Sequence, residues 1–137
     1  MDSPGGDLIA AEDLQQIIDR LNANVAVLGR DGTIELVNRS WVRFATDNGP
    51  PGARAAGPGT NYFDACGSGA VVDGDFADRA LDGIRRVLGR EIPAYSMEYP
   101  CHSPQEERWF VMLVAPVGAD RVMVTHVDVS AAPRTAV

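Results

Sequence analysis

The sequence has no lysine: all twelve basic residues are arginine, set against 19 acidic side chains for a net charge of -7 and an isoelectric point near 4.6. The absence removes Schiff-base chemistry, the phosphate-loop lysine and any lysine general base. The acidic balance disfavours nucleic acid and anionic membrane surfaces as partners. Cysteine is nearly as scarce, with only Cys66 and Cys101, too few for a disulfide scaffold. Histidine occurs twice, as His102 and His126. No apolar run approaches the length of a membrane span, and the N-terminal stretch lacks the basic and apolar regions of a signal peptide. The expectation is a reduced, cytoplasmic chain. Its 137 residues, 45% hydrophobic and 23% charged, suit one globular domain with a core of its own.

Residues 1–10 and 131–137 are small and polar without periodicity, and are expected to be a disordered N-terminus and a C-terminal tail or linker. Between them the pattern predicts a flanking helix over 11–22 and a domain over 23–130. Leu14, Ile17, Ile18 and Leu21 recur at helical spacing as a single apolar stripe. The stripe either folds back on its own sheet or pairs with a second copy across a two-fold axis; an exposed stripe of large aliphatics favours the homodimer. Two short strands follow, joined by Arg30-Asp31-Gly32-Thr33, and Asn38 stands where it can cap the next helix, which carries Trp41, Val42 and Phe44. The Gly- and Pro-rich stretch 47–60 predicts a long loop, and Asn61 to Cys66 one helical turn. From Asp75 to Leu88 the apolar set Phe76, Ala80, Ile84, Val87 and Leu88 predicts a longer helix, with Gly89 as its left-handed terminus. Runs over 92–101, 108–116 and 121–129 predict an antiparallel meander. The order implies an α+β fold: a five-stranded antiparallel sheet with helices on one face and an amphipathic flanking helix.

Five segments in this order, VAVLGRDGTIELVNRSW, GPGTNYFDAC, DFADRALDGIRRVLG, EYPCHSPQEERWF and VTHVDVS, resemble a PAS domain over residues 22–130. The NYFDAC segment and the YPCHSP hairpin resemble a bacterial subgroup attached to histidine kinases, cyclic-di-GMP enzymes and phosphatases. The resemblance implies a sensory module of signal transduction that takes up a small molecule or a partner surface, with no catalytic residues. It implies a cavity lined by His126, Val124, Phe63, Phe76, Tyr99, Phe110 and Met112, and a signal exit at Asp128 and Ser130. Asp128 is expected to bond near the Arg30-Asp31-Gly32 turn.

The alternatives stay open. His126 is either a ligand contact or a core histidine satisfied by its surroundings. A ligand-free docking module shares the same fold. The long helix has no histidine to serve as a haem ligand, so His102 or His126 would have to substitute, and the cofactor is undetermined. The flavin-linking light sensors need a cysteine directly after an asparagine, whereas Asn61 is followed by Tyr62 and the nearest cysteine, Cys66, comes later. A metal would need Cys66, one of Cys101 and His102, and His126 to converge, at a spacing unlike any zinc pattern. Cys66 and Cys101 read as buried thiols or a redox pair. Arg108, after Glu106 and Glu107, reads as a surface ion pair beside Trp109.

Overall fold

The computed structural model describes residues 11–48, 57–67, 74–100 and 107–130. Expectations for the termini, the centre of the 47–60 loop, Cys101 and His102 lie outside the described residues, as does the side chain of Cys66. The elements are α1 (Ala11–Ile18), β1 (Asn24–Leu28), β2 (Ile34–Val37), α2 (Arg39–Asn48), α3 (Tyr62–Gly67), α4 (Gly74–Leu88), β3 (Tyr95–Pro100), β4 (Trp109–Val117) and β5 (Arg121–Asp128). All neighbouring strands are antiparallel, in the order β2-β1-β5-β4-β3. The first and last strands of the chain therefore meet at the middle of the sheet, with Asn24 opposite His126 and Leu28 opposite Val122.

Alternation sorts the side chains between two faces. Val122, Val124 and His126 of β5, Phe110, Met112 and Val114 of β4, and Met97 and Tyr99 of β3 are buried on the inner face. Over that face α4 lays Ala77, Ala80, Ile84 and Val87, with Trp41 of α2 and Tyr62 of α3 completing the same cluster. Gly83 has no side chain, and a Cβ there would run into the Tyr95 ring, so this glycine sets how closely α4 approaches β3.

The outer face is covered only in part. Leu14 and Ile18 of α1 pack on Val25 and Val27, and the edge of this small cluster is formed by Leu36, Val117 and Met123. Hence β1 is apolar at every position from Val25 to Leu28: each face of the strand meets a core. The predicted stripe divides, since Leu14 and Ile18 are buried while Ile17 and Leu21 remain 54% and 40% exposed.

Regular helix in α1 stops at Ile18, short of the expected residue 22, and tightens into turns in which Arg20 N–H donates to Ile17 O and Leu21 N–H to Ile18 O. Asn38 supplies the reason. Its amide nitrogen donates to the carbonyls of Ile18 at 2.8 Å, Leu21 at 3.5 Å and Ala23 at 2.7 Å, while its oxygen accepts from Val25 N–H and, as the α2 cap, from Trp41 N–H.

Two further expectations are corrected. At the end of α4 the left-handed residue is Arg90, with φ 61°, and Gly89 is the residue before it. Arg90 N–H donates to Val87 O and Glu91 N–H to Arg86 O, the paired bonds of a Schellman terminus, which sets the left-handed position one residue later than the glycine. Arg108 is buried, its guanidinium 5.2 Å over the Phe44 ring, because alternation along β4 turns it to the inner face with Phe110.

Candidate functional site

The site begins at the Asp-Gly turn. Gly29 N–H donates to Thr33 O and Gly32 N–H to Gly29 O, and Gly32 adopts φ 88°, a conformation a side chain would strain. The Asp31 carboxylate accepts from Thr33 N–H at 2.9 Å, which holds its pKa below the usual aspartate value. This turn carries the segment before α3: Tyr62 N–H donates to Gly32 O, the Asn61 amide donates to Asp31 O, and Thr33 bridges to Asn61. The Phe63 ring fills the space a Gly32 Cβ would occupy, at 2.6 Å. Asn61 then caps α3 through Asp64 N–H. These contacts fix Tyr62, fully buried, with its hydroxyl 2.9 Å from His126 Nε2.

Tyr99 of β3 closes the arrangement from the other side, its hydroxyl 2.6 Å from His126 Nδ1. His126 is 4% exposed, and burial pushes its pKa down to about 4, so the imidazole is neutral at physiological pH. A neutral ring has one N–H and one lone pair, so one tyrosine hydroxyl donates to it and the other accepts from it. Trp41 lies tilted at 6.0 Å from the imidazole, the Tyr99 ring stacks on Phe110 at 5.8 Å, and Phe44 meets Phe110 edge to face at 5.8 Å. Among the described residues no buried side-chain nitrogen or oxygen lacks a hydrogen-bond partner.

Beside this cluster a cleft of about 250 Å³ opens at the strand ends, lined by Asn22, Ala23 and Asn24, by Ser40 and Phe44 of α2, and by Phe110, His126 and Asp128. Asp128 lies at the opposite end of β5 from the Asp-Gly turn, because antiparallel pairing sets Leu28 and the turn beside Val122. Its carboxylate accepts from Ser130 N–H at 2.9 Å, which corrects the expectation that it bonds near Arg30-Asp31-Gly32. Arg30 instead pairs with Asp120 at 3.0 Å. Ser130 Oγ accepts from Trp109 N–H at 2.8 Å, and Val129 N–H donates to Trp109 O, so the outgoing chain is clasped to the start of β4.

No family model matches the chain. The PAS domain of BvgS from Bordetella pertussis superposes with a TM-score of 0.63 at 14% identity, covering 87% of this chain and 85% of that one. The PAS domain of the Cronobacter turicensis quorum-sensing receptor RpfR, in complex with C12:0, does so with a TM-score of 0.57 at 17% identity, covering 82% and 99%. The chain folds as a PAS domain. Its sequence is 46% identical over 120 residues to an uncharacterized 104.1 kDa protein in the hypE 3' region of Rhodobacter capsulatus. That match takes in 85% of this chain and 13% of the relative, so the PAS domain spans a small part of the relative's length.

Within this PAS fold His126, Val124, Tyr99, Phe110 and Met112 gather on the inner face of the sheet. Phe63 and Phe76 are half-buried at its margin, where each ring carries an arginine, Arg85 at 4.9 Å and Arg79 at 4.7 Å. Sequence reasoning missed Tyr62 and Trp41 as neighbours of His126. Among the described residues no three His, Cys, Asp or Glu side chains converge in a way that could hold a metal, and no helix is long and apolar enough to cross a membrane.

Proposed function

We propose that this PAS domain is a non-catalytic sensory input module: it takes up a small molecule against the His126-bearing face of its sheet and passes the change to an output region through Asp128 and Ser130. The Tyr62–His126–Tyr99 trio carries the reading. Three segments distant in sequence are tied by two buried hydrogen bonds. A molecule entering there must replace one of those bonds or leave a buried polar atom unpaired, so occupancy biases how α3 and β3 sit on β5. His126 is two residues before Asp128 on the same strand, which makes the path to the outgoing chain short. A match confined to 13% of a 104.1 kDa relative supports a module that works attached to other domains. A histidine kinase, a cyclic-di-GMP enzyme or a phosphatase is the output proposed. The module works as a homodimer through α1, in the cytoplasm.

Full satisfaction of the buried side-chain polar atoms among the described residues favours a second reading, a ligand-free docking module. Native mass spectrometry of the chain purified from cells separates the two. The expected result is a dimer carrying one extra small mass per chain, lost in a His126→Leu variant; a dimer free of any adduct overturns ligand uptake in favour of docking.

A further inference from the structure

The cleft at the strand ends has an opening, an aromatic wall and one charged group. Phe44 and Phe110 form the wall, with Ser40 one helical turn from Phe44, His126 behind them and Asp128 exposed beside them. One carboxylate oxygen of Asp128 accepts from Ser130 N–H, and Asp128 makes no ion pair with another described residue. His126 is engaged on both nitrogens by tyrosines. The Arg108 guanidinium lies over the Phe44 ring at 5.2 Å. A volume of about 250 Å³ suits a molecule no larger than an aromatic ring with a short side chain. We propose that this cleft binds a small organic ammonium ion, its charge on the Asp128 carboxylate and its apolar body against Phe44 and Phe110.

The chemistry discriminates among ligands of this size. An anion meets Asp128 in a protein of net charge -7 and is repelled. A neutral molecule covers the carboxylate without pairing it, at a cost in desolvation. An ammonium pairs with it. The location also matters: Asn22 to Asn24 bring the chain into the sheet and Asp128 ends it, so the occupant touches both the incoming and the outgoing segment. Asn38 holds the incoming segment rigid by its bonds to the Leu21 and Ala23 carbonyls, so that wall is formed before a ligand arrives.

The inference rests on the reading of the domain as a small-molecule input module, and the experiment separates the two. Isothermal titration of the whole chain at neutral pH uses three probes of one shape: phenethylammonium, phenethyl alcohol and phenylacetate. The ammonium is expected to bind about tenfold tighter than the alcohol, with phenylacetate weakest. Asp128→Asn, which keeps an oxygen for Ser130 N–H, is expected to bring ammonium and alcohol within about twofold of each other. Amide chemical-shift changes in the unaltered protein are expected at residues 22–24, 40 and 128. Equal binding of the three probes, no saturable binding, or shifts confined to other surfaces overturns the site. A native mass spectrum showing a retained molecule without an amine overturns it too and leaves the input-module reading standing.

Discussion

His126 exchanges hydrogen bonds with two tyrosines in a place where its charged form is poorly solvated, and this has a pH signature. Its folded pKa is about 4 against 6.5 for the free side chain, so between those values the unfolded chain binds the proton and the folded chain does not. Stability contributed by the neutral ring is therefore complete above pH 6.5, falls as the pH drops, and is lost by about pH 4; the shift corresponds to about 3 kcal/mol. Urea denaturation across this range is expected to show the slope, and His126→Leu to lack it; a slope unchanged in the variant would assign it to other groups. Tyr99→Phe strands one buried imidazole nitrogen and is expected to cost about 1–3 kcal/mol in the same assay, as is Tyr62→Phe. Of the three residues, His126 and Tyr99 were placed at the cavity by the resemblance to a PAS domain. Tyr62 was not, because the orientation of a one-turn helix is set by what its start is bonded to, here the carbonyls of Asp31 and Gly32 some thirty residues earlier. The nearest signal was Gly32 itself, a glycine that leaves room for the ring after Tyr62.

Among the elements, Asn38 is the point where α1, β1 and α2 are joined. Asn38→Ala removes the α2 cap and leaves the carbonyls of Ile18 and Ala23 without that donor, and is expected to cost about 2–4 kcal/mol, more than a surface cap does. Asn38→Asp keeps the cap acceptor but turns an oxygen toward those carbonyls, so it is expected to recover little of the loss; thermal melts of the two variants read the difference. A variant as stable as the parent would mean that other contacts hold α1 in place. The cap itself was legible, since Asn before an apolar helical pattern has that use wherever it occurs. Its second use was not, because it depends on a crossing of chain segments that no local pattern encodes. The same division holds at α4, where a glycine after an apolar run read as the left-handed terminus. There the hydrogen bonds of the final turn run one residue further, to Arg90. Arg90→Gly is expected to raise stability by about 1 kcal/mol, since the left-handed conformation costs a side chain that much. The strands were legible nearly to their ends, and the strand order was not: placing β5 between β1 and β4 takes pairing across about a hundred residues.

For the whole molecule the open question is what covers the outer face of the sheet. Leu14 and Ile18 are spent on the chain's own β1, so they cannot also serve a partner. Among the large aliphatics left exposed in the described residues are Ile17, Leu21 and, on the outer face of β4, Leu113 at 43%. A second copy placing its α1 against this surface would bury them, at a gain of about 25 cal/mol for each Å² of apolar area removed from water. The split of the stripe makes the dimer testable without confusing dissociation with unfolding. Ile17→Glu is expected to convert a dimer to a monomer in size-exclusion chromatography with light scattering while leaving the thermal midpoint of the domain nearly unchanged. Ile18→Glu puts a charge into a fully buried position and is expected to unfold the chain, whatever its oligomeric state. If the parent protein runs as a monomer at tens of micromolar, or if Ile17→Glu remains a dimer, the helix face is not the interface. Such a result would leave the cleft beside Asp128, rather than a partner copy, as the place where the outer ends of the chain respond to what the domain has bound.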